Sequence, residues 1–154
     1  MYGFIVRRVI RASFRWISSG DSETVVACFA PDITFRFAGN HALGGALQGQ
    51  AAVRQWFARL YRLFPDSQLV PTAIAVSGWP WATTVATRFR VEATLPEGRR
   101  YRNDGVQLLR LRWGRAVDDT LYEDTQRLVE ALHFLAARGS GEALAPPFAA
   151  ATDA

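Results

Sequence analysis

The segment YRNDGVQLLRLRWGRAVDDTLYEDTQRL, residues 101–128, decides the fold because it predicts a strand, a tight turn, a second strand and a helix start in direct succession. Apolar residues alternate along both halves, which is typical of strands, and Trp113-Gly114 marks the turn between them. Asp124 stands where a carboxylate caps the helix that follows. Five acidic residues are concentrated here: Asp104, Asp118, Asp119, Glu123 and Asp124. We expect Asp124 to be a helix cap and Asp118 to face water, which leaves Asp119 as the main candidate for chemistry.

The preceding sequence extends this sheet. WATTVATRFRVEATL, residues 81–95, predicts a long strand that the turn at 96–98 joins to the opening segment. SQLVPTAIAVSG, residues 67–78, predicts another strand, in which Pro71 marks an edge or a bulge. Tight turns between consecutive strands predict an antiparallel meander.

Helices come first in the chain. Apolar residues at helical spacing predict a helix over about 3–18, a second short helix follows Asp21, and a third helix is predicted over about 51–64. ITFRF, residues 33–37, alternates as a strand. Helices followed by a meander predict an α+β fold, in which a cone-shaped curved sheet, antiparallel or mixed, wraps around the N-terminal helices and encloses a cavity.

The domain prediction is a single α+β domain over residues 1–138. The remaining residues, 139–154, are rich in Pro, Ala and Gly and predict a flexible or loosely docked extension, with a lid over the cavity as one alternative.

Composition excludes several kinds of chemistry. The chain of 154 residues has one cysteine, Cys28, so it forms no internal disulfide, and two histidines, His41 and His133, do not make a structural zinc site by themselves. All 18 basic residues are arginine, which excludes a Schiff-base lysine and a Walker lysine. We therefore expect neither a metal nor a cofactor.

The charge pattern bears on partners and location. The net charge is +4, but the arginines are scattered and no nucleic-acid-binding motif is visible, so nucleic-acid binding is the weakest alternative. No apolar run has the roughly 20 residues that a membrane span requires, and we expect no membrane partner. Arginines alternate with apolar residues near the N-terminus, as in some targeting peptides, but this pattern runs directly into the predicted fold. We expect a cytoplasmic protein.

The chain resembles the SnoaL-like group of the nuclear transport factor two-like superfamily, which includes polyketide cyclases, ketosteroid isomerases and limonene-type epoxide hydrolases. The resemblance covers about residues 5–135 and is carried by four segments: SSGD (18–21), CFAPDITF (28–35), LQGQAAVRQWFARLYRLFPD (47–66) and GRRYRNDGVQLLRLRWGRAVDDTLYEDTQRL (98–128). Their order and spacing imply the fold, but this scaffold hosts many reactions and non-enzymes.

The catalytic positions of these enzymes hold different residues in this chain. The general acid of the polyketide cyclases falls on Leu121 and their assisting histidine on Gln107. The general base of the ketosteroid isomerases falls on Phe37, and of the epoxide hydrolase set only the arginine, Arg88, is kept. Because a leucine cannot move a proton, the resemblance implies either other catalytic residues or no catalysis of these kinds.

A candidate site follows if Leu121 and Gln107 face the cavity, as the resemblance implies. We expect Asp119 beside Arg88 as the base or orienting group, and Asp104 as a third catalytic candidate if a local bulge turns it inward. Arginines in the cavity would favour an anionic ligand. The expected substrate-binding residues are Phe35, Phe37, Phe57, Leu60, Phe64, Arg90, Asn103, Gln107, Leu121, Glu123, His41 and Trp16.

Two alternatives remain open at this point. Val85, Phe89 and Val91 form an apolar face that favours the opposite orientation of their strand, with its arginines in water.

For function, we expect a hydrophobic oxygenated ligand of polyketide or terpenoid type and cofactor-independent cyclisation, isomerisation or hydration, in a protein that forms a homodimer through its sheet. The alternative is a non-catalytic ligand-binding or dimeric interaction module of the same fold.

Overall fold

A computed structural model describes residues 1–149, and residues 150–154 of the predicted extension lie outside the described part. The elements are α1 (Tyr2–Ser18), α2 (Ser22–Ala27), β1 (Phe29–Phe37), β2 (Gly45–Gln48), α3 (Gln50–Leu63), β3 (Gln68–Trp79), β4 (Ala82–Leu95), β5 (Arg99–Arg112), β6 (Arg115–Glu123) and α4 (Thr125–Ala136). The predicted α+β class is confirmed. None of the helices within residues 1–149 has the length and apolar character of a membrane span.

The six strands form one curved, open sheet in the order β2-β1-β6-β5-β4-β3. Neighbouring strands are antiparallel except for β1 and β6, which run parallel, so the sheet is mixed. The inner face of the sheet packs against α1 and α3, as the cone-shaped prediction required.

The first helix packs through one apolar stripe. Val6, Ile10 and Phe14 recur every four residues and are buried, and the ring of Phe14 lies 5.5 Å from that of Phe89 on the sheet. Full burial of such a side chain contributes roughly 1.5–3 kcal/mol, so the stripe is enough to hold α1 against the sheet. The helix ends before Gly20, whose φ of 83° suits glycine.

The register between β4 and β5 sets which side chains face the cavity. The turn at 96–98 pairs Leu95 with Arg99, so Thr87 pairs with Gln107 and Phe89 with Gly105. Directly paired residues point to the same side of a sheet, which puts the odd-numbered residues of both strands inward. Phe89 is accordingly buried, at 1% exposure. The expectation that Arg88 and Arg90 face the cavity is therefore wrong, and the apolar alternative is confirmed.

A β-bulge sets the register of β6. Leu111 pairs with Ala116 but Arg110 pairs with Asp118, so one extra residue, Val117, is accommodated. Downstream of the bulge, Leu121 pairs with Gln107 and shares its inward orientation. Without the bulge the strand would instead present Asp118, Thr120 and Tyr122 to the cavity. As the structure has it, the inward residues are Asp119, Leu121 and Glu123.

Two of the five clustered acids lie on the outer face of the sheet. Asp118 forms an ion pair with Arg36 at 3.0 Å. Asp104 is directly opposite Arg90, and the two side chains lie 3.8 Å apart. No register shift interrupts this part of β5, so the expectation that a bulge turns Asp104 inward is wrong.

The end of the hairpin starts α4 as predicted. Asp124 is the N-cap, and its carboxylate accepts a hydrogen bond from the backbone N–H of Arg127 at 3.3 Å. The prediction that Asp124 caps this helix is confirmed.

The described part of the extension docks on β2 and α3. The backbone N–H of Phe148 donates to the carbonyl of Gly44 at 2.9 Å, and the Arg59 guanidinium lies 4.0 Å from the centre of the Phe148 ring. Glu142 forms an ion pair with Arg62 at 2.6 Å. These contacts hold residues up to Phe148 against the domain.

The side chains of Phe89 and Glu123 lie close above Gly105 in β5 and leave no room for a side chain there. We therefore expect Gly105→Ala to destabilise the fold. An added Cβ would lie 2.6 Å from Phe89 Cζ, 2.8 Å from the Tyr122 carbonyl oxygen and 2.9 Å from Glu123 Cγ. Such overpacking costs about 1–3 kcal/mol, measurable by urea unfolding. Gly141→Ala is the control, because nothing lies within 4 Å of its added Cβ. Equal stabilities of the two variants would contradict the assigned contact.

Candidate functional site

A cavity, here called the outer cavity, lies between α1, α3 and the inner face of the sheet. Its volume, counted as the space open to the centre of a water molecule, is about 80 Å³. A single water needs roughly 10–15 Å³ by this measure, so a small ring or several waters fit. Its walls are mainly apolar and include Ile10, Phe14, Phe35, Phe57, Phe89 and Leu109. Apolar walls with few polar groups are the usual form of a small-molecule site.

Among residues 1–149, Asp119 is the one carboxyl group in the lining of the outer cavity. It is 2% exposed, and its Oδ2 accepts a hydrogen bond from Gln107 Nε2 at 3.0 Å. Its Oδ1 is buried and has no hydrogen-bond partner within residues 1–149. Burial raises the pKa of Asp119 to about 7, and the Gln107 hydrogen bond opposes this only in part. A carboxyl group in this state can both accept and release a proton near neutral pH.

A second, smaller space, here called the inner cavity, adjoins the first. It offers about 40 Å³ by the same measure. Both cavities are lined by Trp56, Leu60, Leu69, Phe89 and Leu121. The two spaces therefore adjoin one another along these five residues.

The polar groups of the inner cavity centre on Glu123. Asn103, which is fully buried, places its Nδ2 at 3.0 Å from the Tyr101 hydroxyl, 3.2 Å from Glu123 Oε2 and 3.0 Å from the Asp124 carbonyl oxygen. Burial raises the pKa of Glu123 to about 7, opposed by the Asn103 hydrogen bond, and burial also raises the pKa of Tyr101. Ser67 lines the same space, and its buried hydroxyl has no hydrogen-bond partner within residues 1–149.

The structure brings together most of the residues that the sequence predicted for the site. The outer cavity contains Asp119, Gln107, Leu121, Phe35, Phe57 and Leu60. The inner cavity contains Phe37, Phe64 and Glu123, with Asn103 bonded to Glu123. Arg88, Arg90 and Asp104 lie on the opposite face of the sheet, so the arginines give no reason to expect an anionic ligand.

His41 and Trp16 do not line these two cavities. The backbone N–H of Leu43 donates to His41 Nδ1 at 3.3 Å, so Nε2 carries the proton and donates to the Ala38 carbonyl at 3.1 Å. Burial lowers the pKa of His41, which keeps the ring neutral. The expectation that His41 overhangs the cavity mouth is therefore wrong. Trp16 is half-buried and packs against the hydrophobic core instead.

Sequence reasoning left many lining residues unassigned, among them Trp56, Ser67, Phe89 and Leu109. For Phe89 the signal was its alternation with Val85 and Val91. Trp56 precedes Phe57 in an amphipathic helix, where either residue could face inward. No local pattern marks Ser67, because its position depends on how the loop after α3 packs against the sheet.

The residues described show no arrangement for a metal. Within residues 1–149, no group of three or more His, Cys, Asp or Glu side chains is placed to hold a metal ion.

An open, curved sheet that encloses a cavity with α1 and α3 defines the nuclear transport factor two-like fold. Within that class the chain belongs to the SnoaL-like domain family, whose model matches residues 10–118. No curated protein matches the chain in sequence.

Solved structures share the fold at low sequence identity. PrhC from Penicillium brasilianum NBRC 6234 superposes with a TM-score of 0.75 at 18% identity, covering 89% of this chain and 91% of PrhC. IdmH from Streptomyces antibioticus, a proposed polyketide cyclase, has a TM-score of 0.69 at 22% identity, covering 82% and 97% of the two chains. TerC, co-crystallised with polyporic acid, has a TM-score of 0.68 at 20% identity, covering 82% and 95%.

We expect stability to fall as pH rises from about 4 to 7. The raised pKa of Asp119 means that the folded state binds more protons than the unfolded state between pH 3.8, the ordinary pKa of an aspartate, and about pH 7, so ionisation opposes folding over that range. Asp119→Asn removes this ionisation and should raise the free energy of unfolding at pH 8 by about 4 kcal/mol relative to the native chain, with a much smaller difference at pH 4.

Urea unfolding of both chains at pH 4 and pH 8 measures this difference. Asp118→Asn serves as the control, because Asp118 lies on the outer face. An Asp119→Asn effect that is the same at both pH values would contradict the raised pKa.

Proposed function

We propose that the outer cavity binds a hydrophobic, oxygenated small molecule of polyketide or terpenoid type. Asp119 then moves a proton in a cofactor-independent cyclisation, isomerisation or hydration. One observation carries the proposal: Asp119 is fully buried in an apolar cavity, with one carboxylate oxygen bonded to Gln107 and the other without a partner in residues 1–149.

The Oδ1 atom of Asp119 is buried without a hydrogen-bond partner among residues 1–149. A buried polar atom without a partner costs about 1–3 kcal/mol, and a ligand that supplies the missing partner recovers part of that cost. No arginine lines the outer cavity in the part of the chain described, so a neutral ligand fits better than an anion. A ligand hydroxyl, carbonyl or acidic C–H group is the complementary chemistry.

The proposed proton transfer uses the Oδ1 atom of Asp119. Asp119 Oδ1, as the carboxylate, takes a proton from the carbon next to a ligand carbonyl, and the C–H electron pair moves to form an enolate. The same proton then returns to a different carbon in an isomerisation, or to oxygen after ring closure. Gln107 fixes the carboxylate by holding Oδ2. A pKa near the working pH suits this exchange in both directions.

Relatives support the kind of ligand. IdmH is a proposed polyketide cyclase, and TerC was crystallised with polyporic acid, so other proteins of this fold are associated with oxygenated organic molecules. The cyclase acid position is Leu121 in this chain, and Asp119 lies two residues earlier on the same face. We propose that the proton-transferring group of this chain stands two residues earlier on the strand than the general acid of the cyclases.

Exchange of the C–H protons of 2-tetralone for deuterium tests proton transfer without the natural substrate. We expect the protein to accelerate the exchange, followed by proton NMR in D2O, with a rate that rises with pH and levels off above about 7 as Asp119 ionises. Asp119→Asn should lower the protein-dependent rate by roughly 10²–10⁴-fold, the usual contribution of a positioned base.

Arg88→Ala is the matched control, because Arg88 lies on the outer face and should leave the exchange rate unchanged. Loss of rate in Arg88→Ala but not in Asp119→Asn would overturn the assignment. Absence of any acceleration by the native chain would favour the non-catalytic alternative.

A dimeric arrangement is the second proposal, and the outer face of the sheet favours it. Val106, Leu108 and Tyr122 are 39%, 42% and 49% exposed there, and Val106 pairs directly with Tyr122. Adjacent exposed apolar side chains on one face are typical of an interface. We propose that two copies associate through this face, in an enzyme or in a non-catalytic module.

Sedimentation equilibrium tests the dimer. Leu108→Glu should convert the dimer to a monomer, because it places a charge in the proposed interface. Leu144→Glu is the control, since Leu144 is the same residue type and is exposed, at 63%, but lies in the docked extension. A native chain that sediments as a monomer would exclude the sheet-mediated dimer.

A further inference from the structure

Strand β6 presents two carboxyl groups to the interior, Asp119 and Glu123, with Leu121 between them. Each is bonded to a carboxamide of β5: Gln107 Nε2 lies 3.0 Å from Asp119, and Asn103 Nδ2 lies 3.2 Å from Glu123. The proposed function uses only the first of these pairs. In the second pair, Glu123 lines the inner cavity and Asn103 is bonded to it, and neither has a role in that function.

An independent observation points to a ligand group in the inner cavity. Ser67 is 3% exposed, and its hydroxyl lacks a hydrogen-bond partner in residues 1–149 although it lines the same space as Glu123 and Tyr101. A buried hydroxyl without a partner is costly unless something polar occupies the space beside it. Three groups that can donate or accept hydrogen bonds therefore surround one small space.

The surroundings of the two polar ends are apolar. Leu121 separates the two carboxyl groups, and Trp56, Leu60 and Phe89 border both cavities. Along β6, the polar side chain of Asp119 is followed on the same face by the apolar Leu121 and then by the polar Glu123. A ligand that matches this arrangement has an apolar ring body with a polar group at each end.

The strand spacing sets the length of such a ligand. Four residues of strand cover about 13 Å at about 3.3 Å per residue. Each hydrogen bond occupies about 2.7 Å, so the two polar atoms of the ligand should be roughly 8 Å apart. That separation suits hydroxyl or carbonyl groups at opposite ends of a fused two-ring system.

We propose that the outer and inner cavities form one two-point site for a rigid, neutral ring system with a hydroxyl or carbonyl group at each end. One end bonds to Asp119 and Gln107, and the other bonds to Ser67 and Glu123. This proposal rests on the proposed function for its first end, and adds the second end and the ligand's shape.

Two probes separate the ends: 2-naphthol, with one hydroxyl, and 2,6-dihydroxynaphthalene, with hydroxyls at opposite ends. In 15N-labelled protein, 2-naphthol should shift the side-chain NH2 signals of Gln107. The diol should shift the NH2 signals of both Gln107 and Asn103. Substitution of each amide in turn assigns its signals.

Affinity provides the second measurement. The native chain should bind the diol about tenfold more tightly than 2-naphthol, as expected for one added hydrogen-bonded group. Glu123→Leu should reduce that ratio to about one. Ser67→Ala, a smaller change that keeps the fold if Glu123→Leu does not, should reduce the ratio severalfold. Asp104→Leu is the control on the outer face and should leave the ratio unchanged.

The outcomes distinguish the two proposals. If both probes shift only Gln107 and bind equally tightly, the two-point site is wrong while the proposed function stands. If neither probe shifts Gln107, the outer cavity is not the ligand site, and both proposals fail. A ratio that Asp104→Leu lowers as much as Ser67→Ala does would also overturn the two-point site.

Discussion

The pairing of β5 with its two neighbours is the constraint on which the rest of the molecule depends. This pairing points Asn103 and Gln107 toward the helices, together with the residues opposite them on β4 and β6. Gly105, at the centre, leaves room for Phe89 and Glu123 to meet above the strand. A slip of one residue would turn every one of these side chains to the other face, so the core and the cavities are specified together.

On this inward face, Asp119 and Glu123 are ionisable groups whose charged forms are disfavoured by burial. Within the described residues 1–149, no cationic side chain lines the cavities beside Asp119 and Glu123, and each carboxyl group is held by a neutral carboxamide. A carboxamide orients a carboxylate without neutralising it, so the tendency to take up a proton is preserved. An apolar residue at either position would pack at lower cost, as Leu121 does between them. Stability that is given up in this way is typical of sites selected for function.

Much of the fold could be predicted from the sequence, because alternation, turn residues and the Asp124 cap are local signals. The inward position of Asp119 came from the family resemblance, since no glycine or proline marks the bulge at Val117. The orientation of β4 was left open between two alternatives, although the length of the turn before β5 could have decided it. A three-residue turn that pairs Leu95 with Arg99 pairs odd positions with odd positions, which places Phe89, and not Arg88, on the face of Gln107. The role of Ser67 could not be predicted, because it depends on contacts between distant segments.

The bulge in β6 also affects how relatives should be aligned with this chain. It shifts the inward-facing positions beyond it by one residue, so the count of residues from the Trp113-Gly114 turn does not identify equivalent positions in a relative that lacks the bulge. A relative with a straight strand needs a gap opposite Val117, whereas a gap placed further along would equate its cavity residues with outward-facing ones. Acids compared by residue count alone would then be assigned to the wrong side of the sheet.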